Sequence, residues 1–270
     1  MKLAIVSDIH ANLEALRAVS AEISAHAVDR IVCLGDIVGY NTDPAECIAV
    51  VRQLEAICIA GNHDRAVTGQ ITTDGFSHTA ARAVAWTRAR LDTGDLDYLR
   101  RLPLTATVAD HLVAVHGALH PETGCESVRL ETDELRRQSF AALAHHPSRA
   151  RICAFGHTHR LGIFEFEDGV MRQCSGDQVP LRADAYYLIN PGSVGQPRTA
   201  DRRASFLILD TTRRVVTVHR VSYDAAAALA KTRRAGLTPA FSFLPRPLRN
   251  SLRWAVRAVG LSELVQRIAR

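Results

Sequence analysis

The 270-residue sequence contains no long apolar segment and no pair of closely spaced cysteines. Its hydrophobic runs fall short of the roughly 20 residues that a membrane-spanning helix needs, and Asp8 and His10 interrupt the apolar start before a secretory signal core. The six cysteines include no C-x-x-C pair, so the spacing of a disulfide framework or a thiolate zinc site is missing. We therefore expect a cytoplasmic protein with reduced cysteines and no cleaved leader.

The positive charge of the chain is concentrated near its end. Residues 231–270 carry nine Lys or Arg and one Glu, whereas the net charge of the whole sequence is only +5, so the preceding part is mildly acidic. Apolar residues interleave with arginines between residues 249 and 264, a pattern typical of a basic amphipathic helix. The tail at 239–270 therefore either packs on the domain or a second subunit, or binds an anionic surface of lipid or nucleic acid.

Short apolar runs alternate with amphipathic segments through the first 160 residues, and period-two runs follow. The apolar runs predict strands at 2–6, 30–34, 56–60, 113–115, 152–155, 162–167, 170–174, 186–189, 204–209 and 215–221. The amphipathic segments predict helices at 12–24, 44–54, 79–91 and 132–144, with Asp43 capping the second. We therefore predict an α/β fold, a four-layer αββα sandwich of two mixed sheets flanked by helices, over residues 1–222. A basic, partly helical tail is predicted at 223–270.

Five short polar motifs each follow an apolar strand directly. They are Asp8-Ile9-His10, Gly35-Asp36, Gly61-Asn62-His63-Asp64, His116-Gly117 and Gly156-His157-Thr158-His159. Because strand ends of one sheet share an edge, we expect these side chains to converge. Residues i and i+2 of an extended segment face the same side, which would aim Asp8 with His10, and His157 with His159, at one centre. Carboxylate, amide and imidazole donors together suit transition-metal cations better than Mg²⁺ or Ca²⁺ alone.

The five motifs in this order resemble the calcineurin-like metallophosphoesterase superfamily. The resemblance covers roughly residues 1–222 and includes Asn190-Pro191-Gly192-Ser193, which is similar to a segment of its small prokaryotic phosphodiesterase-type members. It implies two divalent transition-metal ions (Mn, Fe, Zn or Ni, with Mn favoured in vitro) as cofactors. The implied ligands are Asp8, His10 and His159 for one ion, Asn62, His116 and His157 for the other, and Asp36 as the bridge. His63 is implied to reach the leaving-group oxygen, with Asp64 orienting its ring.

Several residues have two interpretations on sequence alone. Arg198 either binds the phosphate oxygens of a substrate or is a solvated surface residue. Asn12 is either a phosphate contact or the N-cap of the first helix, and Tyr40 either lines the substrate pocket or packs. His111 and His120 are the rivals of His116 as a ligand, and the apolar run before His116 favours His116.

We therefore expect a dinuclear metal-dependent phosphoesterase. Its substrate would be a phosphodiester or phosphomonoester of a small, nucleotide-like molecule, hydrolysed by metal-activated hydroxide. A nuclease or nucleic-acid end-processing phosphoesterase is a second hypothesis, prompted by the basic tail, although the mildly acidic body argues against it. A non-catalytic interaction scaffold on the same fold is a third, and the complete donor set argues against that one.

Overall fold

The computed structural model describes residues 1–120 and 125–238, and within these ranges the chain forms twelve strands and seven helices. The strands are β1 (Lys2–Val6), β2 (Arg30–Cys33), β3 (Ile57–Cys58), β4 (Thr105–Val108), β5 (Leu112–Val115), β6 (Ile152–Ala154), β7 (Gly162–Glu167), β8 (Val170–Cys174), β9 (Gln178–Pro180), β10 (Tyr186–Asn190), β11 (Ala204–Asp210) and β12 (Val215–Val221). The helices are α1 (Leu13–Ser24), α2 (Pro44–Gln53), α3 (Asn62–Thr68), α4 (His78–Arg88), α5 (Thr93–Arg100), α6 (Asp133–Ala144) and α7 (Ala225–Arg234).

The strands form two mixed sheets of six strands each. The first has the order β3-β2-β1-β11-β12-β9, and the second has the order β4-β5-β6-β10-β7-β8. β1, β2 and β3 run parallel in the first sheet, and β5, β6 and β10 run parallel in the second. The remaining pairs are antiparallel, so each sheet has one parallel half whose carboxyl ends share an edge.

The hydrophobic core lies in three layers separated by the two sheets. In β1, Leu3 and Ile5 belong to the core between the sheets, whereas Ala4 and Val6 belong to the core beneath the helices. Both faces of such a strand are buried, so polar residues do not alternate with apolar ones along it. This explains the continuous apolar sequence of β1. Helices α1 to α5 cover the first sheet, and α6 covers the second through Phe140. The predicted four-layer αββα sandwich is confirmed.

Four elements were not predicted from the sequence, namely α3, α5, β4 and β9, and α7 was expected only as part of a partly helical tail. α5 is short and has a single buried residue, Leu99, so its apolar periodicity is weak. α3 begins inside a motif that we expected to be a loop. Gly61 is its N-cap, and the Asp64 carboxylate accepts a hydrogen bond from the Gly61 N–H at 3.0 Å, as in a capping box.

Helix α7 follows residue 222 and packs on α1. The Lys231 Nζ lies 2.6 Å from Glu14 Oε1 and 2.9 Å from Asp43 Oδ2. Asp43 precedes α2 as expected, but its side chain makes no capping hydrogen bond because the carboxylate is engaged by Lys231. The first part of the predicted tail is thus helical and lies against the domain. The basic segment 239–270, with its proposed anionic partner, lies outside the described residues.

The expectations about cysteines and about membrane-spanning helices can be compared with the described residues. Four of the six cysteines are buried, as expected of small side chains packed in the core. None of the helices in residues 1–120 and 125–238 combines the length and the apolar character that crossing a bilayer requires.

Candidate metal centre

The five polar motifs meet where the parallel halves of the two sheets end. Asp8 and His10 follow β1, Asp36 follows β2, Asn62 opens α3 after β3, His116 follows β5, and His157 and His159 follow β6. Their donor atoms form two clusters, one of Asp8, His10, Asp36 and His159, and one of Asp36, His116 and His157. Asp36 belongs to both clusters, so its carboxylate lies between them.

The first cluster is almost completely buried. His159 Nε2 lies 3.2 Å from Asp8 Oδ1 and 3.2 Å from His10 Nε2. His10 Nε2 in turn lies 3.5 Å from Asp36 Oδ2. Carboxylate oxygens and imidazole nitrogens therefore face a common point.

The second cluster is arranged around His116. Its Nε2 lies 3.3 Å from Asp36 Oδ2 and 3.2 Å from Asn62 Oδ1. The ring centres of His116 and His157 are 5.1 Å apart. His111 and His120, the rivals of His116, belong to neither cluster, so the structure brings His116 to the centre.

Three of the histidines are oriented by backbone carbonyls. The Nδ1 atoms of His10, His116 and His159 lie 3.2, 2.7 and 2.7 Å from the carbonyl oxygens of Val38, Leu34 and Gln196. A carbonyl accepts only, so each Nδ1 carries the proton and each Nε2 is directed at the centre. This arrangement sets the tautomer of metal-binding histidines in general.

The backbone of the motifs is left-handed rather than extended. Asp8, His10 and Asp36 have φ values of 55°, 50° and 53°, and His157 and His159 have 62° and 57°. We expected Asp8 to meet His10, and His157 to meet His159, because residues i and i+2 of an extended segment face one side. That reason is wrong, since the backbone is not extended. The pairs meet because each chain turns through left-handed residues after its strand. The left-handed conformation costs free energy in residues other than glycine, and residues that adopt it cluster at functional sites.

Two glycines make room for the Asp8 and Asp36 carboxylates. A Cβ on Gly61 would stand 2.1 Å from Asp36 Oδ1, and one on Gly156 would stand 2.9 Å from Asp8 Oδ2. Neither space would hold a methyl group, so each motif requires glycine for the close approach of backbone and carboxylate.

The segment that begins at the last residue of β10 supports the ligand loops. Asn190 Nδ2 donates to the carbonyl of Gly156 at 2.9 Å and to Thr158 Oγ1 at 3.1 Å. Ser193 Oγ donates to the carbonyl of Asp8 at 2.9 Å. The Asn190-to-Ser193 segment therefore ties the Asp8 loop of the first sheet to the His157 loop of the second.

The electrostatics of the centre call for a positive charge. Burial lowers the pKa of His10, His157 and His159, so these rings are neutral near pH 7. Burial alone would also lower the pKa of His116, but the Asp36 carboxylate outweighs it and raises this pKa to about 10. Burial alone would raise the pKa of Asp36, and the facing His116 holds it well below its usual range. A proton on His116 thus supplies charge that a cation would replace.

The hydrogen bonding of the buried donors fits divalent cations. Asp8 Oδ1 is buried and has no hydrogen-bond partner in the described residues. His10 Nε2 and His159 Nε2 face each other at 3.2 Å, although both rings carry their proton on Nδ1. Lone pairs that face one another in a buried site repel unless a cation lies between them.

His63 lies beside the centre, but Asp64 does not orient it. The Asp64 carboxylate accepts hydrogen bonds from the N–H groups of Gly61 and Val38 at 3.0 and 3.2 Å. His63 Nδ1 is buried without a hydrogen-bond partner among the described residues. The prediction that Asp64 orients the His63 ring is therefore wrong, because its carboxylate caps α3 and holds the Val38 loop. Burial, reinforced by Asp36, raises the pKa of Asp64 to about 7.

A cavity of about 920 Å³ opens beside the two clusters. Asp36, Asn62, His157 and His159 line one end of it. Tyr40 and Arg198, two of the predicted substrate contacts, also line it, and the Arg198 Nη2 lies 3.5 Å from the Tyr40 hydroxyl.

Asn12 lines the same cavity, but its side chain is engaged by the protein. The Asn12 Oδ1 accepts a hydrogen bond from the Ala15 N–H at 3.1 Å, and Nδ2 donates to the Gly195 carbonyl at 2.9 Å. Of its two interpretations, these contacts favour the N-cap of α1. The contact with Gly195 also holds the loop that carries Gln196, the partner of His159.

Two residues that no sequence motif singles out also face the cavity. Arg129 lines it, and its charge, although not the main cause, contributes to the lowered pKa of His157. Phe76 also lines it, with its ring centre 5.1 Å from that of His63. Both lie in irregular segments without a motif, so only the tertiary fold brings them to the site.

The chain is similar to known proteins in both sequence and fold. The family model of the calcineurin-like phosphoesterase superfamily domain matches residues 1–214. An uncharacterized protein of Methanocaldococcus jannaschii is 34% identical over 233 residues, which covers 85% of this chain and 90% of that protein. A metallophosphoesterase from Sphaerobacter thermophilus has 35% identity and a TM-score of 0.75, covering 88% of this chain and 95% of its own. A hypothetical protein from Pyrococcus horikoshii OT3 shares the fold at 18% identity, with a TM-score of 0.69 and coverage of 88% and 94%.

Proposed function

The chain belongs to the calcineurin-like phosphoesterase superfamily, and we propose that it hydrolyses a phosphomonoester or phosphodiester of a small, nucleotide-like molecule with two divalent cations as cofactors. The observation that carries this proposal is the position of Asp36, whose carboxylate is shared by two clusters of buried donors. One carboxylate between two donor clusters is the arrangement expected of a dinuclear site.

Two divalent cations bound there would polarise the phosphoryl oxygens and lower the pKa of a water that attacks phosphorus in line. Asp8, His10 and His159 would hold one cation, Asn62, His116 and His157 the other, and Asp36 both. The carbonyls of Val38, Leu34 and Gln196 keep three of these imidazoles in the tautomer that a cation requires. The ligands are thus oriented before a cation binds.

His63 is the proposed proton donor to the leaving group. Its Nδ1 packs against Gly39, where an added Cβ would stand 2.3 Å away, so Nε2 is the nitrogen left to meet a substrate. Burial lowers the pKa of His63 to about 4 in the free protein. A phosphate anion beside the ring would raise this pKa, so that His63 would take up a proton from water and pass it to the leaving-group oxygen.

Arg198 is the proposed phosphate ligand on the cavity side. Its guanidinium lines the cavity beside the Tyr40 hydroxyl, and the Tyr40 ring centre lies 4.7 Å from that of His63. A guanidinium there would bind non-bridging phosphate oxygens while His63 meets the leaving group. The nuclease alternative rests on residues 239–270, outside the described part of the chain.

The assay that tests this function uses metal-depleted protein and bis-p-nitrophenyl phosphate. Hydrolysis is expected to be near background without added metal and to return with Mn²⁺ or a similar ion. His116→Ala should lower the Mn²⁺-dependent kcat/KM by about 100-fold or more, because the affinity of the second cluster for a cation depends on the Nε2 atom of His116.

His111→Ala is the matched control, because His111 lies in neither cluster and should keep activity within about twofold. Hydrolysis that persists unchanged after metal removal, or equal losses in the two variants, would contradict the proposed function.

A further inference from the structure

We propose that α7 and its neighbours form a binding subsite for the organic group of the phosphate ester, specific for a flat, largely apolar group of nucleobase or aryl size. This α7 subsite consists of Tyr223, Ala225, Ala228, Leu229 and Leu237. The inference rests on the proposed function in its phosphodiester form, because the diester would be held at the metal centre while the subsite contacts the ester group that stays on phosphorus.

The size of the cavity is the first observation behind this proposal. At about 920 Å³, it falls in the range of pockets that enclose drug-sized ligands, far more space than a phosphate group occupies. The metal-centre residues Asp36 and His157 line it together with Ala228 and Leu229 of α7. One ligand can therefore reach from the donor clusters to α7.

The chemistry of the cavity changes across its width. The charged lining residues include Arg129 and Arg198, and Arg198 Nη2 lies 3.5 Å from the hydroxyl of Tyr40, whose ring packs against His63 beside the centre. The residues that α7 itself contributes are uncharged: Ala225, Ala228, Leu229 and Thr232. Such a division fits a ligand with an anionic end and an apolar end.

Leu229 is the most informative residue of the subsite. It is 43% exposed and is one of two large hydrophobic side chains exposed in the described ranges, the other being Val170 at 48%. Val170 lies on β8 and does not line the cavity, whereas Leu229 does. Ala225 lies one turn before Leu229 on the same face of α7, and its small side chain leaves a low surface on which a flat ring can lie.

Helix α7 is held in a defined position relative to the metal centre. Lys231 forms ion pairs with Glu14 and Asp43, and Thr232 Oγ1 donates to Asn41 Oδ1 at 3.1 Å. Asn41 Nδ2 in turn donates to the carbonyl of His10 at 2.8 Å. The subsite is thus connected through Asn41 to the loop that carries a donor of the first cluster.

The location of α7 in the chain separates the two parts of recognition. The family model matches residues 1–214, and α7 lies beyond them. The motifs bring the reacting phosphate to the metal centre, while a helix that the family model does not match contacts the organic group. Specificity for that group is therefore a property of residues 223–237.

The test compares p-nitrophenyl phosphodiesters that share a leaving group and differ in the retained group: methyl, 1-naphthyl and thymidine 5′-yl. The wild type is expected to favour the two bulky esters over the methyl ester by about 10-fold or more in kcat/KM, from burial of one ring. Leu229→Asp should remove most of that preference and change the methyl ester by less than about twofold. Val170→Asp is the matched control and should leave all three values unchanged.

The outcomes separate this inference from the proposed function. Hydrolysis of none of the esters by the metal-loaded protein contradicts the function itself. Hydrolysis of all three with no preference in the wild type, or an equal effect of Leu229→Asp on all three, overturns the subsite. A preference for the thymidine ester over the naphthyl ester identifies the retained group as a nucleoside, and the reverse identifies an aryl group.

Discussion

Replacing Asp36 with asparagine is expected to lower kcat/KM for phosphate-ester hydrolysis by about 10³-fold or more, because two cations would lose their shared ligand. Asp36 Oδ2 lies 3.5 Å from His10 Nε2 and 3.3 Å from His116 Nε2, so it is the only carboxylate common to the two clusters in the described residues. A neutral amide keeps the shape of the side chain and removes the charge that attracts the cations. Steady-state kinetics with saturating Mn²⁺ measures the effect.

The matched control for Asp36 is Asp110→Asn. Asp110 is exposed in the turn between β4 and β5 and has a left-handed backbone like Asp36, which asparagine tolerates. This variant should retain wild-type kinetics, and circular dichroism should show that both variants are folded. An Asp36→Asn protein with activity within about tenfold of the wild type would contradict the role of Asp36.

Replacing His63 with alanine is expected to have an effect that depends on the leaving group. For an alkyl phosphodiester, kcat/KM should fall by about 10²- to 10⁴-fold, because a poor alkoxide leaving group needs a proton. For the p-nitrophenyl ester of the same retained group, the loss should stay below about tenfold, since p-nitrophenolate leaves without protonation. The ratio of the two losses, measured on one preparation, is the informative quantity.

His78→Ala is the control for this prediction. His78 is exposed at the start of α4 and should tolerate the change with both substrates. Equal losses on the alkyl and p-nitrophenyl esters in His63→Ala would refute a role in leaving-group protonation. They would indicate instead that the His63 ring supports the centre through its packing against His10 and Tyr40.

The convergence of the donor residues is predictable from sequence for a simple reason. Asp8, Asp36 and His116 each follow an apolar strand, and the carboxyl ends of parallel strands share an edge. Both sheets contribute, and the two parallel halves end at the same place. The layered fold is predictable in the same way, because strands buried on both faces have continuous apolar sequences.

The local backbone of the site is not predictable, because long-range contacts determine it. The His10 N–H donates to the Asp36 carbonyl at 2.9 Å, and the Ala11 N–H donates to the Ile37 carbonyl at 2.9 Å. These bonds between neighbouring loops hold His10 and Ala11 in left-handed conformations that their own sequence disfavours. The capping role of Asp64 has a similar origin, since it depends on α3 beginning at Asn62.

The α7 subsite also depends on contacts that no sequence motif predicts. The sequence of α7 is rich in alanine. The position of the helix depends on ion pairs of Lys231 with Glu14 and Asp43, which lie more than 180 residues earlier in the sequence. A cluster of unlike charges far apart in the chain leaves no periodic signal.

The number of bound metal ions tests the account most directly. Wild-type protein stripped of metal, dialysed to equilibrium against Mn²⁺ and analysed by elemental mass spectrometry should retain two ions per chain, one for each donor cluster. Asp36→Asn should retain fewer, while Asp110→Asn should match the wild type. A wild-type protein that binds no Mn²⁺, or an Asp36→Asn protein that binds as much as the wild type, would contradict a metal centre built around a shared carboxylate.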